Sequence, residues 1–120
     1  MGPATMVIQA DQRLNALARA NRVRSARAEL KRDIASGDVS ATEAILFRRW
    51  ETEAMPVVEV LTSQRQWGNR RCRRLLTAMQ LQEAKTIGSM TERQRLDMAA
   101  RLNASEARRG EGQLVATVSL

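Results

Sequence analysis

From Asp11 to Ser36 the chain runs without a glycine or proline and is built largely from Ala, Arg, Leu and Glu. These side chains lose little rotamer freedom in a helix and nothing in the run breaks the 3.6-residue repeat, so the segment has one regular conformation open to it. It predicts a long helix over 11–36, ended by Gly37, with residues 1–10 as a flexible N-terminus. Leu14, Leu17, Val23, Ala26, Leu30 and Ile34 read as a narrow apolar stripe. Most of the arginines on the remaining surface are expected to be simply solvated. A chain of 120 residues then has room for one modest core.

The rest of the sequence also reads as helix. Ser40 with Glu43 has the spacing of a capping box, which predicts a second helix carrying Ala44, Ile45, Leu46 and Phe47 toward the core, with Trp50 in the connection or final turn. Pro56 opens a third helix presenting Val57, Val58, Val60 and Leu61, stopped by Gln66-Trp67-Gly68. Residues 69–80 put Cys72, Leu75, Leu76 and Met79 on one face, and 81–90 reads as two consecutive turns or one helical turn. Thr91 with Gln94 repeats the capping-box spacing and starts a fifth helix through about Asn103, with Leu96, Ala99, Ala100 and Leu102 inward. Residues 104–120, with Gly110 and Gly112, are expected to be disordered. The fold class is all-α with about five helices: a long basic N-terminal helix over 11–37 and a helical domain over 40–103.

Charge narrows the function. The chain holds 20 Lys plus Arg against 13 Asp plus Glu, a net charge of +7. All these cations but Lys31 and Lys85 are arginine, whose planar fork grips a phosphate through two hydrogen bonds. A polyanionic partner is the natural reading, although a GC-rich genome would enrich Ala and Arg in the same way. With no histidine or tyrosine, one cysteine, and no paired-carboxylate, phosphate-loop or metal-ligand spacing, catalysis has little to work with, and no enzyme, cofactor or metal is expected. Cys72 reads as a core residue. No stretch is long and apolar enough to span a bilayer, and residues 1–10 lack the pattern of a signal peptide, which points to the cytoplasm.

The most informative segment is Arg65-Gln-Trp-Gly-Asn-Arg-Arg-Cys-Arg-Arg74, with five arginines and no acid, placed where a turn enters a helix. Glycine there lets the backbone approach a phosphate, the helix start offers unpaired N–H groups, and the arginines can clamp neighbouring phosphates. Alternatively Gly68 merely ends the third helix and the arginines are solvated. Trp67 reads as a core lid rather than a base-stacking wedge.

Ala28-Glu29-Leu30-Lys31, Met55-Pro56-Val57 before Leu61, Gly68 with its basic followers, Leu75-Leu76 and Glu92-Arg93-Gln94-Arg95 occur in the order and spacing of the actinobacterial integration host factors, which the chain resembles from about Arg13 to Leu102. The resemblance implies a helix-two-turn-helix unit over about 56–103, of the kind also found in a ribosomal small-subunit protein. In such a unit the glycine-containing turn meets the sugar-phosphate backbone. Carried over by position, it implies that Gly68, Asn69, Arg70 and Arg71 contact DNA, together with Arg93 and Arg95. Where that family has several arginines and Gly-Leu-Gly, this chain has Lys85-Thr-Ile-Gly-Ser-Met-Thr91, so part of the contact is expected to have moved onto Arg73 and Arg74, with Lys85 keeping charge at that edge.

The resulting expectation is a nucleoid-associated architectural protein, monomeric off DNA, that binds duplex phosphates with little sequence preference and bends or compacts the duplex, assisting an integrase or other recombinase. Arg19, Arg22, Arg24 and Arg27 on the long helix are a possible second DNA surface. An RNA-binding module and a protein-interaction adaptor in recombination or transcription are the alternatives.

Overall fold

The computed structural model describes the backbone of residues 3–118 and the side-chain surroundings of residues 6–106. Its elements are α1 (Pro3–Ser36), α2 (Ala41–Leu46), a 3-10 turn (Trp50–Thr52), α3 (Val57–Ser63), α4 (Asn69–Ala78) and α5 (Glu92–Val118), with no β-strand among the described residues. The all-α class, the five helices and the long N-terminal helix are therefore as the residue pattern predicts.

Helix boundaries follow local chemistry. Gly37 stops α1 at a φ of 89°, which an L side chain rarely adopts, and its amide bonds to the Ile34 carbonyl at 3.2 Å. The Ser40 hydroxyl caps α2 by accepting from the Glu43 amide at 3.0 Å. At α5 both halves of the capping box are made: the Thr91 amide donates to Gln94 Oε1 at 2.9 Å and the Gln94 amide to Thr91 Oγ1 at 3.1 Å. Between α4 and α5 the chain makes two consecutive turns, Gln82–Lys85 and Thr86–Met90, closed by amide-to-carbonyl bonds of 3.1–3.2 Å.

Both outer helices are longer than the residue pattern suggests. Residues 3–10 form the first turns of α1, and α5 continues through Val118, past Asn103. Ala104-Ser-Glu-Ala-Arg-Arg109 contains no breaker, and the glycines at 110 and 112 cost helix stability, about 1 kcal/mol each, without forbidding it.

The core gathers the C-terminal half of α1 with α2, α3, α4, the double turn and the first half of α5: Leu30, Ile34, Ala44, Ile45, Met55, Val57, Val60, Leu61, Cys72, Leu76, Ile87, Met90, Met98 and Leu102 are all buried. Three predicted core assignments fail there. Leu14 and Leu17 are more than half exposed, because at 100° per residue they lie about 160° and 140° round α1 from Leu30, on the side facing away from the domain. Leu46 and Phe47 are exposed because a six-residue helix presents one short stripe, taken by Ala41, Ala44 and Ile45. On α5 Ala99 and Leu102 point inward as predicted, but Arg95 and Met98 complete the stripe, which leaves Leu96 and Ala100 outside. No helix in the described residues is long and apolar enough to cross a membrane.

Candidate nucleic-acid interface

Helix α4 separates its residues cleanly. Cys72 and Leu76 are buried, while Arg70, Arg73 and Arg74 recur at three- and four-residue spacing on the opposite face and together line a shallow surface groove with Thr77 and Ala78. Arg73 also pairs with Glu83 at 3.0 Å, an exposed contact that a phosphate could displace at small cost.

The start of this helix carries no side-chain cap. Gly68 occupies the N-cap position with φ −83°, a value open to any residue, and a Cβ built there would meet nothing within 4 Å. The fold therefore places no demand for glycine at 68. What the missing side chain leaves is clear space above the first-turn amides beside Asn69 and Arg70, where the helix dipole favours an anion. The turn itself is made upstream, where Gln66 takes a left-handed φ of 70° and α3 has already ended at Ser63.

Arg71 does a different job from its neighbours. Its guanidinium lies 3.9 Å from the centroid of the Trp67 ring and donates to Ser105 Oγ at 2.5 Å, so it is half-buried and ties the start of α4 to the middle of α5. Trp67 in turn packs on the core as a lid.

Arg95 departs furthest from its expected role as a DNA ligand. It is only 4% exposed and donates to the carbonyls of Ile45 at 2.9 Å and Ile87 at 2.6 Å, with Nε buried and without a partner. Burial, reinforced by repulsion from Arg48, lowers its pKa against the opposing pull of Glu53. A side chain held this way is a cross-brace, and its position in the basic opening of α5 falls to Arg93, which is exposed. Lys85 is half-buried, and its carbonyl accepts from the Val57 amide at 2.8 Å.

On the long helix, Arg27 is likewise withdrawn from the proposed second surface: its Nε donates to the Glu51 carbonyl at 2.9 Å and anchors the 3-10 turn to α1. Arg19, Arg22 and Arg24 are exposed. Arg19 and Arg22 share a side of the helix, whereas Arg24 lies about 160° round from Arg22.

The candidates thus fall into two groups. Gly68, Asn69, Arg70, Arg73 and Arg74 form one surface at α4, and Arg93 with Lys85 stands near the start of α5. The two groups meet at the end of α4, where Arg73 pairs with Glu83, two residues before Lys85. What the residue pattern misses is the segment between α2 and the 3-10 turn, where Phe47 and Trp50 are exposed beside Arg48. No group of three or more His, Cys, Asp or Glu residues able to hold a metal occurs among the described residues.

No protein-family model, curated protein or solved structure matches the chain.

Proposed function

We propose that the protein is a non-catalytic, double-stranded DNA-binding architectural factor, of the integration-host-factor type its motifs resemble, which grips the phosphate backbone with little base readout. The observation that carries this reading is the single face of α4 on which Arg70, Arg73 and Arg74 converge beside an uncapped helix start with open space over Gly68. Arginine forks and oriented amides both select tetrahedral oxyanions, and neither reads a base edge. Arg93, exposed at the start of α5, supplies a further backbone contact.

The experiment is a mobility shift of a 30-base-pair duplex across a salt series. Four to six phosphate contacts give a slope of log affinity on log salt of roughly −4 to −5. Arg70→Glu with Arg74→Glu should abolish binding while leaving thermal unfolding unchanged, because neither side chain supports the core. A parent slope near zero, or undiminished binding by the folded double variant, would refute the proposal. Tighter binding to structured RNA than to the duplex would move the reading to an RNA-binding module.

A further inference from the structure

The chain has three aromatic residues, Phe47, Trp50 and Trp67, and only Trp67 packs against the core. Phe47 is 67% and Trp50 62% exposed, although folding gains most from burying side chains of this kind. They stand three positions apart in Leu46-Phe-Arg-Arg-Trp50, with exposed arginines between them.

The segment is held at both ends. Ile45 before it is fully buried, with its carbonyl fixed by Arg95 of α5. Glu51 after it is buried, with its carbonyl fixed by Arg27 of α1 and its carboxylate paired with Arg49 at 2.8 Å. Two braced anchors therefore present Phe47, Arg48 and Trp50 outward in a fixed place. The segment also runs from α5 to α1: Ile45 is clamped beside the first turn of α5, which carries Arg93, and Trp50 lines a surface groove on α1 with Asn21 and Arg22.

We infer that Phe47 and Trp50 are base-stacking wedges that enter a duplex step opened by bending, while Arg48 and Arg22 hold the adjoining phosphates. This deepens, and rests on, the DNA-binding reading. An aromatic face flanked by arginine forks matches a base flanked by its phosphates, and Arg22 and Arg48, set against the one acid lining the groove, Glu29, leave the patch basic and favour a polyanion over an uncharged apolar partner. The pre-set display lowers the ordering cost of insertion. Backbone clamps alone hold a duplex at points, whereas a wedge supplies a place for it to bend.

The test uses the full chain. In a Trp67→Phe background, Trp50 is the sole tryptophan, and binding a 30-base-pair duplex should quench its emission through stacking. On an end-labelled duplex, Phe47→Ala should keep the parent's unfolding temperature but lose the energy-transfer change that reports bending, with affinity down about tenfold. The parent should bind a duplex carrying a central mismatch several-fold more tightly than a matched one, because that step is already part-open, and Phe47→Ala should erase this preference. If the parent binds and depends on Arg70 and Arg74 while Trp50 emission, bending and mismatch preference are all indifferent to Phe47 and Trp50, the wedge is refuted and the backbone grip stands. If the parent binds no duplex, both fall. Stronger quenching by single-stranded DNA than by either duplex would also overturn the wedge.

Discussion

The guanidinium of Arg95 spans fifty positions of sequence to reach the carbonyl of Ile45 at 2.9 Å, and the same group closes on the Ile87 carbonyl. One buried arginine thereby joins the end of α2, the double turn and the start of α5. A buried charge held by two carbonyls without a salt bridge tolerates truncation poorly, since both acceptors are then left unpaired. Arg95→Ala should cost about 3–5 kcal/mol, and Arg95→Lys should recover only part of it because an ammonium cannot reproduce the fork. Chemical denaturation of the three proteins measures this; equal stability of the lysine variant would show that charge, not fork geometry, holds the brace.

Gly68 and Gly88, on either side of α4, should answer oppositely to the same change. A Cβ at Gly88 would stand 2.3 Å from the Glu53 carbonyl oxygen, to which the Gly88 amide already donates at 3.0 Å, so backbone would have to move. Gly88→Ala is expected to destabilise by about 2–4 kcal/mol. Gly68→Ala meets open space at an ordinary φ and should leave stability unchanged or raise it by a few tenths of a kcal/mol through the unfolded chain. Its effect should appear in DNA affinity, because a methyl group over the helix start intrudes where a phosphate would sit. Unfolding curves beside duplex titrations check both halves, and destabilisation by Gly68→Ala would contradict the open geometry.

Much of this organisation is legible in the sequence, and the exceptions share a cause. Gly37, Ser40 and Thr91-Gln94 mark helix ends through local chemistry, and each acts as its residue type dictates. The double turn between α4 and α5 is likewise local. Arg95 shows where such reading stops. A periodic pattern assigns arginine to the outside, so the predicted stripe on α5 took Leu96 inward, whereas the two carbonyls that accept from Arg95 come from segments fifty and eight positions away and are invisible to periodicity. Arg27 and Arg71 repeat the lesson at the interface: their types suit phosphate, but each meets a tertiary partner first. Phe47 errs the other way. It follows Ile45 in an apolar run, yet α2 is too short to turn a second stripe inward.

The division between Arg71 and its neighbours is measurable. Arg71→Ala removes a contact with the Trp67 face and a bond to Ser105, both half-exposed, and should cost about 1 kcal/mol of stability. Arg70→Ala should cost nothing in stability but flatten the salt slope of DNA binding by about one. Thermal unfolding and salt titration of the two variants give four numbers. If Arg71→Ala flattened the slope as Arg70→Ala does without loss of stability, Arg71 would belong to the phosphate-binding set instead.

Cys72 offers a probe of the same helix from its inner face. It is fully buried among the core side chains, and burial raises the pKa of its thiol even though neighbouring Arg71 pulls it down. Neutral in the fold and ionised more readily in the unfolded chain, the thiol contributes stability that is fully present below the usual cysteine range and is lost as pH rises above it, where the unfolded chain gives up its proton first. The folded protein should therefore resist a thiol-specific disulfide reagent at pH 8 and react fully in denaturant. Stability should fall as pH rises past about 8.5, the ordinary thiol value, more steeply in the parent than in Cys72→Ala. Rapid labelling of the native chain at pH 8, at a rate unrelated to its unfolding, would mean that α4 detaches from the core while the rest stays folded, and the arginine face it carries would then not be pre-set for a phosphate backbone.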